Sequence, residues 1–160
     1  MKRPLTILIA VLVLIVVVAT VAASQFNLSA IPEPGRTETY LATAAKRILI
    51  SRSSRRGIPP EPPATQASIT EGNTLFGVDC SACHGMTGRT PTETGRWMYP
   101  RAADLGSPAV QQFTDRELFW IVKNGIRLSG MPAFGKVEAD QHIWDLVHYL
   151  RTLPGPEKPH

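Results

Sequence analysis

Cysteine is scarce in this chain: 160 residues hold only Cys80 and Cys83. Two thiols cannot build the zinc sites that use three or four cysteines. A site of two cysteines and two histidines needs its histidine pair about 12 to 15 residues downstream. His142 and His148 have a suitable internal spacing, but 58 residues separate Cys83 from His142. Acidic side chains are missing altogether from residues 1–29, whose only charges are Lys2 and Arg3. Residues 30–66 carry six basic and three acidic side chains, and residues 67–160 carry nine and ten. The pI of about 9.4 therefore belongs to the amino-terminal part. A nucleic-acid binder places its basic face on its folded domain, and the near-neutral region after residue 67 argues against that role. There is no glycine-rich phosphate loop, no nucleophile beside a base at motif spacing and no second metal cluster. Nor does anything after residue 67 show the β-branched runs that a thioredoxin-like strand–helix–strand unit requires.

What the chain does contain is Cys80-Ser81-Ala82-Cys83-His84, followed by Gly85. Two cysteines two residues apart with a histidine directly after them form the attachment signature of c-type haem. On one helical turn the two thiols reach the two vinyl groups of a single porphyrin, while the adjacent imidazole is directed at the iron. The spacing predicts one covalent haem c, held by Cys80 and Cys83, with His84 as an axial ligand.

Residues 5–23 run without a charge, and at about 1.5 Å per residue such a helix spans roughly 28 Å, the thickness of a bilayer core. Lys2 and Arg3 within residues 1–4 favour a cytoplasmic amino terminus, with everything downstream exported. Small residues at Val21-Ala22-Ala23 also fit a cleavable signal, whose apolar core is normally only about 7 to 15 residues long. The greater length favours a retained anchor.

Residues 24–66 read as a linker. Pro32, Pro34 and Gly35 interrupt regular structure. Within residues 37–50, Tyr40, Leu41, Ala44, Ala45, Ile48 and Leu49 recur at helical spacing, with Lys46 and Arg47 off that stripe. This segment is either a helix lying on a membrane surface, with Lys46, Arg47, Arg52, Arg55 and Arg56 near anionic headgroups, or a basic solvated linker. Pro59, Pro60, Pro62 and Pro63 then predict an extended spacer.

A domain is expected over residues 67–155, with 156–160 as a tail. Ser68 or Thr70 is the expected cap of a helix through Leu75 and Phe76 towards Cys80. Gly72 inside that helix costs roughly 1 kcal/mol against alanine, which a close crossing with another backbone would explain. The expected partner is a last helix over about residues 140–153, with Ile143, Trp144, Val147 and Leu150 on one face, ended by Pro154 and Gly155. A further helix is signalled by the capping-box-like Thr114-Asp115-Arg116-Glu117 and the stop at Asn124-Gly125. Residues 85–108, rich in Pro, Gly and Thr, suit a loop around a haem edge, with Arg96, Trp97, Tyr99 and Arg101 as candidate donors to the propionates.

Gly72, Phe76, the haem signature, Met131 and the ending Trp144 to Leu153 together resemble a class I cytochrome c domain, over approximately residues 67–155. The resemblance implies a small all-α fold wrapped around one haem, with first and last helices crossing at a glycine and an aromatic pair. It also implies haem attachment outside the cytoplasm, in agreement with an exported chain. The second axial ligand is sought among Met86, Met98 and Met131. Met86 stands too close to His84 to cross the ring, and Met98 lies among residues suited to the haem edge. Met131, in Gly130-Met131-Pro132, has the rigid loop that aims a side chain, and in the resembling family the distal ligand often precedes a proline.

These readings point to an electron carrier rather than an enzyme: a single-pass protein of the bacterial inner membrane, its haem domain in the periplasm. Its partners would be a redox protein donor and an acceptor. A His/Met pair raises the reduction potential and leaves no open position on the iron. Three alternatives remain: a haem subunit of a larger oxidoreductase complex, a haem enzyme or gas sensor with a free distal site, and bis-histidine ligation through His148.

Overall fold

The computed structural model describes residues 2–24 and 29–153, and every regular element among them is helical. Residues 154–160, including the expected stop at Pro154 and Gly155, lie outside the described residues. The chain divides into two compact units, the first reaching Pro32 and the second beginning at Glu33. In the first unit α1 (Lys2–Ser24) contains Leu5–Ser24, a stretch of 20 residues with mean hydropathy 3.2, long and apolar enough to cross a membrane.

The second unit holds α2 (Arg36–Ser53), α3 (Gln66–Asp79), α4 (Ser81–His84), α5 (Glu93–Trp97), α6 (Pro108–Gln111), α7 (Asp115–Asn124) and α8 (Asp140–Thr152). A 3-10 turn at Phe134–Lys136 precedes α8. Thr65, not Ser68 or Thr70, caps α3: its hydroxyl accepts from the Ser68 amide at 3.1 Å. The helix thus begins one turn earlier than the sequence suggested, and Thr70 bonds back to the Gln66 carbonyl from its interior. Residues 85–108 are mostly loop, with α5 as a short interruption capped by Thr92.

The core forms where α3 and α8 cross. Gly72 meets the α8 backbone at Asp145, and the rings of Phe76 and Tyr149 pack with centroids 5.2 Å apart. Ile143, Trp144, Val147 and Leu150 are buried, as the helical spacing indicated. Phe119 of α7 packs at a tilt against Trp144 with centroids 4.5 Å apart, so α7 joins the same core. Arg151 ties α8 to the α6–α7 corner, donating to the Asp115 carboxylate at 2.5 Å and to the Gln111 carbonyl at 2.8 Å.

The cap of α7 satisfies two otherwise orphaned amides. Thr114 Oγ1 accepts from the Glu117 amide at 3.3 Å, and the Glu117 carboxylate accepts from the Thr114 amide at 2.8 Å. Thr114→Ala is expected to destabilise the domain by about 1 kcal/mol. Thermal unfolding should then show a midpoint about 4–8 °C lower, with Thr114→Ser close to the parent.

Compact packing starts well before residue 67. Ile50 of α2 is buried in the core, Ser54 is buried and its carbonyl accepts from Arg116 at 3.3 Å, and Ile58 packs against the core cluster. The Arg47 guanidinium lies 5.4 Å from the centre of the Phe113 ring. The face of α2 turned to the domain is therefore the side that carries Lys46, Arg47 and Ile50. Its more apolar stripe, the one periodicity singles out, faces outward.

Candidate functional site

The elements above enclose a cleft of about 1230 Å³, its open mouth included. Cys80 comes from the end of α3, Cys83 and His84 from α4, Met98 from the loop after α5, and Met131 from the loop after α7. The rest of the wall is largely apolar, with Leu105, Phe113, Leu118, Ile121, Leu146 and Leu150 among its residues. Ligand pockets typically combine apolar walls with a few placed polar groups. An apolar cleft carrying two free thiols, an imidazole and two thioethers has the donor set that a covalently held porphyrin needs.

Short backbone contacts fix the thiol-bearing turn. Cys80 is the residue at which α3 ends and α4 begins, and its carbonyl accepts from the amides of Cys83 and His84 at 3.1 and 2.9 Å. Gly95 of α5 lies so close that a Cβ there would stand 2.1 Å from the Cys83 carbonyl oxygen. Gly85 takes a positive φ of 76° immediately after His84, and a Cβ there would meet the Thr90 carbonyl oxygen at 2.1 Å. Burial pushes the Cys80 thiol up to about 12, with Asp79 and Cys83 adding to it, so the sulfur stays protonated at neutral pH.

His84 is oriented by its second nitrogen. Nδ1 lies 2.9 Å from the Ala103 carbonyl oxygen, which can only accept, so Nδ1 carries the proton and Nε2 keeps its lone pair. Burial lowers the pKa of this imidazole, and the Ala103 bond opposes that shift. The lowered value favours the neutral ring, the form that binds metals.

Met131 is held by the loop around it. Its amide donates to Ser129 Oγ at 3.2 Å, its carbonyl accepts from the Ile126 amide at 3.3 Å, and Ser129 Oγ donates to the Ile126 carbonyl at 2.8 Å. Gly125, at the end of α7 with φ 66°, packs on the Met131 and Pro132 backbone at distances a Cβ would not allow. Met98 packs against Gly130, where a Cβ would lie 2.6 Å from its sulfur. Met86 is exposed and off the cleft wall.

The four candidate propionate donors separate. Arg101 lines the cleft and pairs with Glu33 at 2.6 Å. Tyr99 donates its hydroxyl to the Glu38 carboxylate, Arg96 donates to the Pro91 carbonyl at 3.1 Å, and Trp97 is 73% exposed; none of these three is on the wall. His148 is also elsewhere: buried in α8, it shares a 2.6 Å hydrogen bond with Ser68, whose hydroxyl donates to Asp145 at 2.6 Å. The residues that sequence reasoning missed are Lys46 and Ile50 of α2, both on the cleft wall. Periodicity in that segment marks the opposite, outward stripe, so nothing local singles out Lys46 and Ile50 as wall residues.

The pattern of the family described as "Cytochrome C oxidase, cbb3-type, subunit III" matches residues 67–150, just over half of the chain. Among solved structures, a chain of a reducing HAO-like protein complex from Kuenenia stuttgartiensis is similar, with a TM-score of 0.57 and 19% identity. That match covers 62% of this chain and 49% of the other, so this protein spans about half the length of that neighbour, and the likeness speaks for the fold. None of the curated proteins matches. The thiol pair and imidazole on α3 and α4, the cleft they line and the match over residues 67–150 lead to one assignment: the chain belongs to the cbb3-type cytochrome c oxidase subunit III family, a family of c-type cytochrome domains.

Proposed function

We propose that this chain holds one haem c through thioethers to Cys80 and Cys83, with His84 and Met131 as axial ligands, and that it passes single electrons between redox protein partners. The haem domain lies on the periplasmic face of a bacterial inner membrane, to which α1 anchors it as a single span. One observation carries the reading: thiols, a neutral imidazole of fixed tautomer and a loop-held thioether all line one apolar cleft. The haem, when bound, supplies a one-electron couple between ferric and ferrous iron. The chain's part is to fill both axial positions, to exclude water with an apolar wall and to keep oxygen from reaching the metal. A soft thioether and a low-dielectric surround both favour the ferrous form.

Lys46 and Arg101 are the basic side chains on the cleft wall, and they are the partners we assign to the haem propionates. Lys46→Gln removes a positive charge near the iron and is expected to lower the midpoint potential by on the order of tens of millivolts at low salt. Spectroelectrochemistry of the variant checks this. A potential that does not move removes Lys46 from the role.

A haem-stained denaturing gel of membrane and soluble fractions tests attachment and anchoring together. Stain is expected at the full-length mass in the membrane fraction and absent from Cys80→Ser/Cys83→Ser. Rapid binding of carbon monoxide to the ferrous protein would overturn the closed-site carrier and favour an open-site haem protein. The family description names a subunit of an oxidase, which supports a second reading: the same chemistry performed inside a larger complex. Copurification from membranes under mild detergent separates a fixed subunit from a free carrier.

A further inference from the structure

α2 is built with its polarity reversed. Lys46, Arg47 and Ile50 face the domain, and Tyr40, Leu41, Ile48 and Leu49 stand outward at 72, 60, 54 and 61% exposure. Single exposed apolar residues are ordinary. Here Tyr40 with Leu41 and Ile48 with Leu49 form two exposed pairs, bridged by exposed Ala45 and half-buried Ala44, which gives a stripe along three turns of helix.

The groups bordering the stripe are basic. Arg52 follows on the same face, and Arg55 and Arg56 lie exposed just beyond the helix end. The nearest carboxylates are engaged, Glu38 with Tyr99 and Glu33 with Arg101. Only residues 25–35 separate α2 from the end of α1, and that length of chain extends no further than about 40 Å.

We infer that the outward stripe of α2 seats in the interface of an anionic lipid surface, with Arg52, Arg55 and Arg56 among the headgroups. An apolar helix face edged by arginines is the pattern of an interfacial helix. The short tether selects a bilayer as the occupant over a partner met in solution, and in that respect the inference rests on the anchor reading of α1. Because Lys46 and Ile50 on the other side of the same helix line the cleft, seating α2 would hold the haem site close to the membrane surface.

Hydroxyl-radical footprinting of the full-length holoprotein in vesicles tests this, comparing phosphatidylcholine alone with phosphatidylcholine plus phosphatidylglycerol. Modification of Tyr40, Leu41, Ile48 and Leu49 is expected to fall several-fold in the anionic vesicles. Met86 and Val137, exposed on the haem domain, should not change. Leu41→Asp/Ile48→Asp should restore labelling of Tyr40 and Leu49 while α1 keeps the protein in the vesicles. Equal labelling in both lipids overturns the inference. So does a stripe labelled in both vesicle types and shielded only in native membranes, which would indicate a protein subunit. If mass spectrometry finds residues 5–23 absent from the mature chain, the anchor reading fails by itself. The stripe is then judged by flotation: binding to anionic vesicles keeps the inference, and its absence overturns it.

Discussion

Met131→Ala is expected to lower the reduction potential by on the order of a tenth to a few tenths of a volt. Axial-ligand identity alone spreads haem potentials over about 0.8 V, and within that range a thioether favours the ferrous iron more than water or a second nitrogen does. The loss should be accompanied by disappearance of the methionine-to-iron absorbance and by new binding of carbon monoxide. The haem should remain attached, because the thiols on α3 and α4 do not depend on the loop after α7.

Met98 makes this a sharp experiment. Its sulfur lines the same cleft and packs on Gly130, next to Met131 in the chain, so two thioethers compete for one assignment. They differ in how they are held. The backbone of Met131 is tied on both sides, by Ser129 and Ile126, and its loop rests on the end of α7, which fixes where the side chain starts. A ligand must be positioned before the metal arrives if the bond is to be strong, and this loop supplies that positioning. Met98→Leu should therefore leave the spectrum unchanged, with only a small shift in potential from altered packing. The opposite pattern, with Met131→Ala silent and Met98→Leu losing the band, would move the distal ligand to Met98.

How far the sequence leads depends on the kind of signal each residue sends. Cys80, Cys83 and His84 form a contiguous motif whose chemistry requires that spacing, so it was legible before any fold was known. The α7 cap was legible for a similar reason: Thr114 and Glu117 satisfy each other's amides locally, and the structure has both bonds. The core face of α8 was readable from helical spacing, since burial of Ile143, Trp144, Val147 and Leu150 follows from one strip facing α3 and α7.

Other features depend on contacts that no local pattern encodes. The start of α3 was displaced by one turn because three hydroxyl residues, at 65, 68 and 70, are equivalent as caps until the path of the preceding chain is known. The face that α2 turns to the domain is unreadable from sequence for a deeper reason. Periodicity shows that a helix has two unlike sides, but not which one meets the domain; a cation on an aromatic ring and one buried isoleucine decided it. Arg101 and Arg96 likewise look alike in sequence, and only the fold brings the first to the cleft.

Gly72→Ala and Gly77→Ala, two identical changes in one helix, are expected to have opposite signs. Alanine improves helix propensity by about 1 kcal/mol at either position. At Gly77 no heavy atom lies within 4 Å of a new Cβ, so the gain stands and the variant should be equal to or more stable than the parent. At Gly72 the new carbon would lie 2.0 Å from the Asp145 carbonyl oxygen, 2.5 Å from its carbon and 2.9 Å from the Tyr149 Cβ. Two of those atoms are backbone, so no rotamer change relieves the clash, and α3 and α8 must separate. Separation loosens the Phe76–Tyr149 pair, worth about 0.5–1.5 kcal/mol beyond its buried area, together with the apolar contact around it. Overpacking in a dense core typically costs 1–3 kcal/mol and occasionally more, so a net loss of about 3 kcal/mol is expected. That is a large share of the roughly 5–15 kcal/mol that holds a domain folded. Thermal unfolding of the holoproteins, followed by far-ultraviolet circular dichroism, should place Gly72→Ala on the order of 10–20 °C below the parent. Since α3 leads directly into the turn bearing Cys80, Cys83 and His84, the same displacement should weaken the alignment of the imidazole. If Gly72→Ala proved as stable as Gly77→Ala, the crossing of α3 and α8 would not be the close contact on which the position of the site depends.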